Sequence, residues 1–565
     1  MKFRRFSAAV CTATLGLVTL TPLGQCQAQS KVATPKAAPA IVESDADDEA
    51  VVVVALNAID SLLPNIQHIA RMVGAGAAAG GVSTVLNQFA GGLDRTRPFG
   101  VFVSLDEGGN PAPIACLPIA DLEQFFDQLS TFGEPNDLGD GLYEFSFGNT
   151  VYAKKVGKWL YVAQTEDALD GIAESMGDML PKMIQKYDVR IQVNPQNIPE
   201  ELVDFIMSQM QAGLDQGMAA QGDNIDAADA ESARATSEQM IAQMQEGIEG
   251  TEKVVLGLAI NKQDKRTVLD FGTQFVADSK YAKQIEKMIG SKTTLAAVPQ
   301  DSSMMGLQTF QLVAPEEIDQ LEKTIEVSLK TAYKAIDENA KNPASAGKAK
   351  EFIDKAVDIL VESAKLGKIE SAVDVSVASA LSIVASVSVA DGAKIEALAS
   401  EISAELAKEK APVQLKINSG KHAGFNLHNG TIALPPDAAE AAKKIFGNTV
   451  TVAIATGPKS VHIAVGKNCD ESVKSAIDRV AAKPSAPAEM VKMKLVLSQL
   501  LKFVQDIEAT PISESMLNAA TAGNDRISIE SQTMERGAVV RLSLEDGVMK
   551  AIAAGVKAGQ AGGGF

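Results

Sequence analysis

The chain has 565 residues, of which 46% are hydrophobic but only 5% aromatic, with a single tryptophan, Trp159. That length exceeds one ordinary domain, so two or three cores built from Ala, Val, Ile, Leu and Met are expected. The formal net charge of −19 repels phosphate backbones, and no basic patch with interleaved aromatics overrides it, which argues against nucleic acid as a partner.

Lys2, Arg4 and Arg5 precede an apolar run from Phe6 to Leu23, and Cys26-Gln-Ala28 supplies small residues at the cleavage positions. This pattern predicts a signal peptide over residues 1–28, and hence no integral membrane segment once it is removed. Leu23-Gly-Gln-Cys26 resembles a lipobox, but Gln25 stands where a small residue is required. Arg4-Arg5 lacks the continuation of a twin-arginine motif. Residues 29–50 are rich in Ala and Pro, then acidic from Ser44 to Glu49, and read as a disordered, solvated linker. The aspartates there lack the Gly and Glu of a calcium loop.

Val51 to Ile59 opens a first α+β module, residues 51–290, as a strand or the start of a helix. Ile66 to Val73 reads as helix. Gly74 to Gly81 has the look of a dinucleotide loop but follows a helix and not a strand, so small-residue helix packing or a flexible turn explains it better. Strands are expected at Phe99–Leu105, Ile114–Ile119, Leu142–Phe147, Tyr152–Val156, Trp159–Ala163 and Val189–Val193, with a helix at Leu122–Phe132. Thr165 is expected to cap a helix running to Met176. Val254–Ile260 and Thr267–Val276 form a hairpin.

A helical insertion, about residues 199–250, interrupts this module. Leu202, Ile206, Met210, Leu214 and Met218 recur every four residues, and Met240, Met244 and Ile248 follow the same rule. Such a stripe usually faces a core. The alternative is an adaptable arm touching a protein partner or an apolar ligand, because thioether side chains repack against varied surfaces. The acidic stretch from Gln221 to Glu231 between the two helices has no core face and reads as a mobile tip.

A second α+β module, residues 291–560, repeats the order of the first. Val384–Asp391 echoes Ile114–Asp121 at an offset of 270 positions, and Gly447-Asn-Thr-Val450 echoes Gly148-Asn-Thr-Val151. Ala372–Ala378 with Leu381–Val389, Ser460–Val465, Met493–Leu497, and Arg526–Glu530 with Val539–Leu544 supply the matching strands. A helix starts at Cys469. Between the modules, Ile318 to Ile336 and Phe352 to Ala364 step by three and four residues as an amphipathic helical pair. Residues 561–565 form a flexible tail.

Chemistry is harder to find. His68, His422, His428 and His462 have no other ligand type at metal spacing. Cys116 and Cys469 are no disulfide framework, and Cys116 reads as a small buried hydrophobe. There is no Gly-x-Ser-x-Gly elbow and no phosphate loop, and Ser345-Ala-Gly-Lys348 lacks its partner motifs. No catalytic, metal or cofactor residue is therefore assigned, and no cofactor is expected.

Gly447-Asn-Thr, an apolar strand, Gly466 and a capped helix, with Ala423-Gly-Phe-Asn-Leu-His-Asn429 upstream, resemble large exported proteins of unknown function from planctomycete-type bacteria. The resemblance covers most of the mature chain. It implies export and repeated α+β modules, and no activity. The expected fold is thus α+β, with two tandem homologous modules, each a mostly antiparallel sheet flanked by helices. The expected role is an exported binding or structural protein of the periplasm or cell envelope, its partner an unidentified protein or apolar ligand. A carrier of an apolar ligand between sheet and helices, and a hydrolase assembled from scattered carboxylates, are the alternatives.

Overall fold

The computed structural model describes residues 50–561 apart from 107, 131–132, 147–148, 222–240, 243, 340–341, 378–379, 409–412, 435–438 and 521–522. The expected signal peptide, nearly all of the linker, the acidic tip, Met240 and nearly all of the tail lie outside the described residues. The fold is mixed α+β, and the strand pairings seen among the described residues are antiparallel. Contacts divide the chain into an N-terminal unit, residues 33–286 with 533–565, and a central unit, residues 287–532.

In the N-terminal unit, β1 (Val52–Leu56) leads into α1 (Ile59–Met72) and α2 (Gly76–Phe89). Next come β2 (Phe99–Leu105), β3 (Pro111–Pro118) and α3 (Leu122–Leu129). Strands β4 (Asn136–Gly139), β5 (Leu142–Ser146), β6 (Thr150–Val156) and β7 (Trp159–Ala163) form a meander. Short helices α4 (Glu174–Asp178) and α5 (Leu180–Met183) precede β8 (Val189–Val193). The long α6 (Glu200–Gln221), the hairpin β9 (Thr251–Asn261) and β10 (Arg266–Phe275), and α7 (Lys280–Met288) complete this run. Pairing follows the order β4-β5-β6-β7-β3-β2-β1-β8-β9-β10.

The central unit holds β11 (Lys292–Thr293), β12 (Met305–Leu312), α8 (Pro315–Asn339), α9 (Pro343–Ala364), β13 (Lys368–Ser376), β14 (Ser382–Ser388) and α10 (Gly392–Lys408). It continues through β15 (Val413–His422), β16 (Phe425–Ala433), α11 (Glu440–Phe446), β17 (Thr449–Thr456), β18 (Ser460–Gly466) and α12 (Cys469–Ala482). Strands β19 (Ala486–Pro487) and β20 (Val491–Val496), helices α13 (Leu497–Ile507) and α14 (Pro511–Ala519), and β21 (Arg526–Met534) follow. Pairing here runs β15-β16-β17-β18-β14-β13-β12-β20-β21.

The expected second module ended near residue 560, but contacts assign residues 533–565 to the N-terminal unit. There β22 (Gly537–Glu545) adds to the edge of β10, and α15 (Asp546–Ala561) follows it. The ladder with β10 is joined by a side-chain tie, the Arg541 guanidinium binding the Asp270 carboxylate through two hydrogen bonds of 2.7 Å.

Both echoed segments are strands that feed helices. Asp121 caps α3, its carboxylate accepting from Gln124 N at 3.0 Å. Gly92 makes that corner possible: its φ is +74°, and a Cβ there would sit 2.3 Å from the Asp121 carbonyl oxygen. Asp391 precedes α10 in the same way, and a Cβ on Gly392 would meet the Gly457 carbonyl oxygen at 1.9 Å.

One local expectation fails. No helix runs from Thr165 to Met176: a single 3-10 turn at Asp167–Leu169 gives way at Gly171, whose φ is +69°. Leu169 is fully buried, and Lys154 Nζ holds its carbonyl at 3.2 Å, so the chain dips into the core there instead of coiling over it. At Gly74–Gly81 the helical alternative is the one found, because α2 starts at Gly76. Packing of Leu86 against Ile59, Leu63 and Ala90, and a Gln67–Ser83 hydrogen bond of 3.1 Å, offset the poor helix propensity of its glycines.

Candidate functional site

Successive residues of a strand point to opposite faces of its sheet. In β8 this sends Arg190 and Gln192, with Asn194 just beyond its end, one way and Val189, Ile191 and Val193 the other. It is the polar set that is buried, while the valines and isoleucine are only half-buried. An antiparallel sheet with one wet face normally shows the reverse.

On the covered face the polar groups satisfy one another. Arg190 Nη2 donates to Gln192 Oε1 at 2.6 Å, Gln192 Nε2 to Asn194 Oδ1 at 3.0 Å, and Asn194 Nδ2 to the Ala50 carbonyl at 2.7 Å. Asp270, 1% exposed, takes the Arg541 pair and the Tyr187 hydroxyl at 3.0 Å. Burial and the Asp270 charge push the Tyr187 phenol well above its ordinary range. Asp188 accepts from Asn65 at 2.6 Å and from Ile260 N at 2.7 Å. The aliphatic core, with Trp159 and Tyr161 fully buried, packs on this side.

The other face is apolar and for the most part half-buried, and at its edge Phe99 packs against Ile59, Leu63 and Ala90. Val101, Val54, Ile191, Leu256, Phe271 and Val540 lie directly across from one another on β2, β1, β8, β9, β10 and β22. The flanking rows are Phe99, Leu56, Val189, Leu258, Leu269 and Leu542, then Val103, Val52, Val193, Val254, Thr273 and Ala538. None of these residues is buried, and Leu256, Leu269 and Phe271 are 38%, 37% and 47% exposed. Thr273 is the one polar side chain among the three rows.

The central unit repeats the reversal. Val373, Leu307, Met493 and Ile529 form one half-buried row, and Val375, Met305, Leu495 and Ile527 the next. Opposite them, Gln308, Glu370, Asp374 and Lys494 are buried. Glu370 accepts from Thr293 Oγ1, Thr294 N, Ser388 Oγ and Lys368 Nζ within 2.8–2.9 Å. Burial alone would raise its pKa, but the Lys368 ammonium and these donors together hold it below the ordinary carboxyl value.

Groups with the chemistry for catalysis are present but sealed. Ser386 Oγ lies 2.7 Å from His462 Nδ1, a spacing that in a hydrolase activates the serine. Both residues are all but inaccessible, and the Phe425 ring stands 5.2 Å from the imidazole. Burial, with the Arg479 charge adding to it, lowers the His462 pKa to about 4, so the ring is neutral at pH 7 and a weak base. In the N-terminal unit Cys116 and Tyr161 face each other in register on β3 and β7, and burial pushes the thiol up to about 12. It stays protonated and unreactive.

His428 is fully buried beneath α10. Its Nε2 lies 2.9 Å from Thr456 Oγ1, and its Nδ1 accepts from Asn418 N at 3.1 Å. Asn418 sits in the bulge between Lys416 and Gly420 with φ +52°, and its side chain donates to Glu396 at 2.9 Å. Donors from Asn426 and Asn418 hold the Glu396 carboxyl below its ordinary value, while burial lowers the His428 pKa. This ring of bonds clasps the β15–β16 hairpin to α10. On its other side His422 holds Asp478 of α12 at 2.7 Å.

The insertion residues are only partly placed. Leu202 and Met210 of α6 are half-buried, and Ile206 is exposed. Leu214 and Met218 lie on the same helix, Met244 is exposed and Ile248 is half-buried. Met207, one residue off the expected stripe, is the buried member, and Phe205 beside it is 58% exposed. Gln196 ties the base of the insertion together, donating to the carbonyls of Ile248, Glu249 and Thr251.

Among the described residues no group of three potential ligands could hold a metal, and no helix is long and apolar enough to cross a membrane. No family model, curated protein or solved structure matches this chain.

Proposed function

We propose that this is an exported, non-enzymatic binding protein of the cell envelope, built from a duplicated α+β module. The observation that carries the binding reading is the reversed polarity of its sheets: polar and charged side chains are consumed inside, and aliphatic ones are offered outside. Contiguous exposed apolar surface of this kind marks an interaction site more often than an accident of composition. The sealing of Ser386, His462 and Cys116 supports a role without covalent chemistry. Export rests on the leader, and on the likeness to exported planctomycete-type proteins.

The duplication is supported by the strand order. β4-β5-β6-β7-β3-β2-β1-β8-β9 and β15-β16-β17-β18-β14-β13-β12-β20-β21 are the same sequence of pairings, with Cys116 opposite Tyr161 where Ser386 stands opposite His462. Native mass spectrometry of the protein purified from its own envelope tests the function. A retained ligand or partner is expected. A bare chain that turns over ester, peptide or glycoside substrates would replace this reading with an enzymatic one.

A further inference from the structure

We propose that His428 is an acid-operated latch: a proton on its Nδ1 breaks the hydrogen bond from Asn418 N and frees the bulge of β15 from β16 and α10. The latch is independent of what the protein binds. Geometry fixes which nitrogen carries the hydrogen in the neutral ring. Nδ1 accepts from a backbone N–H, so Nε2 holds the hydrogen and donates to Thr456 Oγ1 at 2.9 Å. The Thr456 hydroxyl donates in turn to Glu396 Oε2 at 3.3 Å, and Asn426 and Asn418 side chains donate to the same carboxylate at 2.7 and 2.9 Å. The chain of bonds thus runs in one direction and ends on a charge. A second ring proton has no place in it. Both nitrogens of an imidazolium are donors, and Nδ1 would then point its hydrogen at the Asn418 N–H. Asn418 is where the strain can be relieved. It is a non-glycine residue at φ +52°, exposed, in the bulge where the β15–β16 register shifts between Lys416 and Gly420. Its exposure also gives the proton a way in.

The charges around the ring set the pH at which it acts. Burial lowers the His428 pKa from 6.5, and the Glu396 charge opposes that shift. The bond is therefore complete above about pH 6.5 and is lost as pH falls through the folded pKa of the ring. The Asn426 and Asn418 donors hold the Glu396 carboxyl below its ordinary 4.5, so it stays an anion in mild acid. α10 turns Glu396 to the imidazole, and its other charges are engaged elsewhere: Lys394 with Glu362, Glu401 with Lys355, and Glu405 with Lys408. Strands β16 and β17 carry no further charged residue. Lys416 and Lys421 of β15 are exposed, and Lys459, past the end of β17, holds the Ala390 carbonyl at 2.9 Å. On the other side of the hairpin, His422 meets Asp478 at 2.7 Å and Asn429 donates to Asp470 at 2.9 Å, both on α12. A carboxylate accepts from either form of an imidazole, so mild acid leaves that side attached. The hairpin loosens from α10 alone, and β15, the outermost strand of the central pairing order, is the element set free.

The test is hydrogen exchange read by mass spectrometry on the full chain, in steps from about pH 7 to about pH 4, with protection expressed against the intrinsic rate at each pH. The peptide holding Asn418 should lose protection roughly two- to tenfold on acidification, as expected for one net hydrogen bond. Peptides of β13 and β14 should keep theirs through that step. His428→Gln, whose amide oxygen accepts at any pH, should abolish the loss. His462→Gln should not, which separates this ring from the other buried histidine. Glu396→Gln removes the charge that favours the protonated ring, so in that variant the step should move to lower pH; it decides the matter if His428→Gln does not fold. Protection unchanged over the series, an equal loss in His428→Gln, a simultaneous loss in β13 and β14, or a step that Glu396→Gln leaves in place each overturns the proposal.

Discussion

Ser386 and His462 face each other across β14 and β18 with 2.7 Å between hydroxyl oxygen and Nδ1, sealed from solvent on the covered side of the central sheet. The contact is a structural joint. Ser386→Ala would leave a buried ring nitrogen without its partner, at a cost of about 1–3 kcal/mol. Urea unfolding followed by circular dichroism reads this directly. An unchanged midpoint would mean that the ring finds another partner.

The same histidine makes stability depend on pH. Its folded pKa, about 4, lies below the ordinary value of 6.5, so the unfolded chain binds a proton that the folded one refuses. The contribution of the neutral ring is complete above about pH 6.5 and is lost as pH falls towards 4, with a slope of up to about 1.4 kcal/mol per pH unit. Glu370 acts in the same direction, since its folded pKa is depressed too and its stabilisation disappears as it is protonated. Unfolding midpoints measured from pH 7 to pH 4 should therefore decline, and His462→Gln should flatten the upper part of that decline.

Arg541→Ala should destabilise the N-terminal unit more than any change at a surface ion pair. It strands Asp270, which is buried, with the Tyr187 hydroxyl as its remaining side-chain donor among those seen. Breaking a buried pair from one side costs about 3–5 kcal/mol. The double variant Asp270→Asn with Arg541→Ala should recover part of that loss. A single-variant cost below ~1 kcal/mol, the range of exposed pairs, would contradict the arrangement.

Sequencing the mature N-terminus should return Gln29, as expected from cleavage after Ala28. A chain beginning at a lipidated Cys26 would instead establish a membrane-anchored form.

Ile206→Glu is expected to leave stability within about 0.5 kcal/mol of the parent, because the residue is exposed on α6. If the insertion is a contact arm, partner recovery from envelope extracts should drop in this variant. Unchanged recovery removes the arm from the binding surface.

Individual strands were legible in the sequence where turn residues bracket a short apolar run. Trp159–Ala163 and Val189–Val193 have the expected bounds. The β15–β16 hairpin escaped notice because the bulge at Asn418 interrupts the alternation of Val413, Leu415 and Ile417. The reversed polarity was not readable from any strand alone. Alternation in Val189–Val193 announces two different faces, but which one is covered depends on distant chain: Ala50 meets Asn194, and Arg541 meets Asp270 from across the sequence. For the same reason Ser386 and His462, 76 positions apart, gave no motif.

The pairing of β10 with β22 has a consequence in time. Arg541 follows Asp270 by 271 positions (541 − 270), and a ribosome adding 5–20 residues per second needs roughly 15–50 s to cover that distance. Throughout that interval the edge of β10 is unpaired and the Asp270 carboxylate lacks its cation, so the first half of the chain waits for the last strand before it can close. For the export proposed above, such a delay would be an advantage, because a half that cannot finish folding cannot jam the pore.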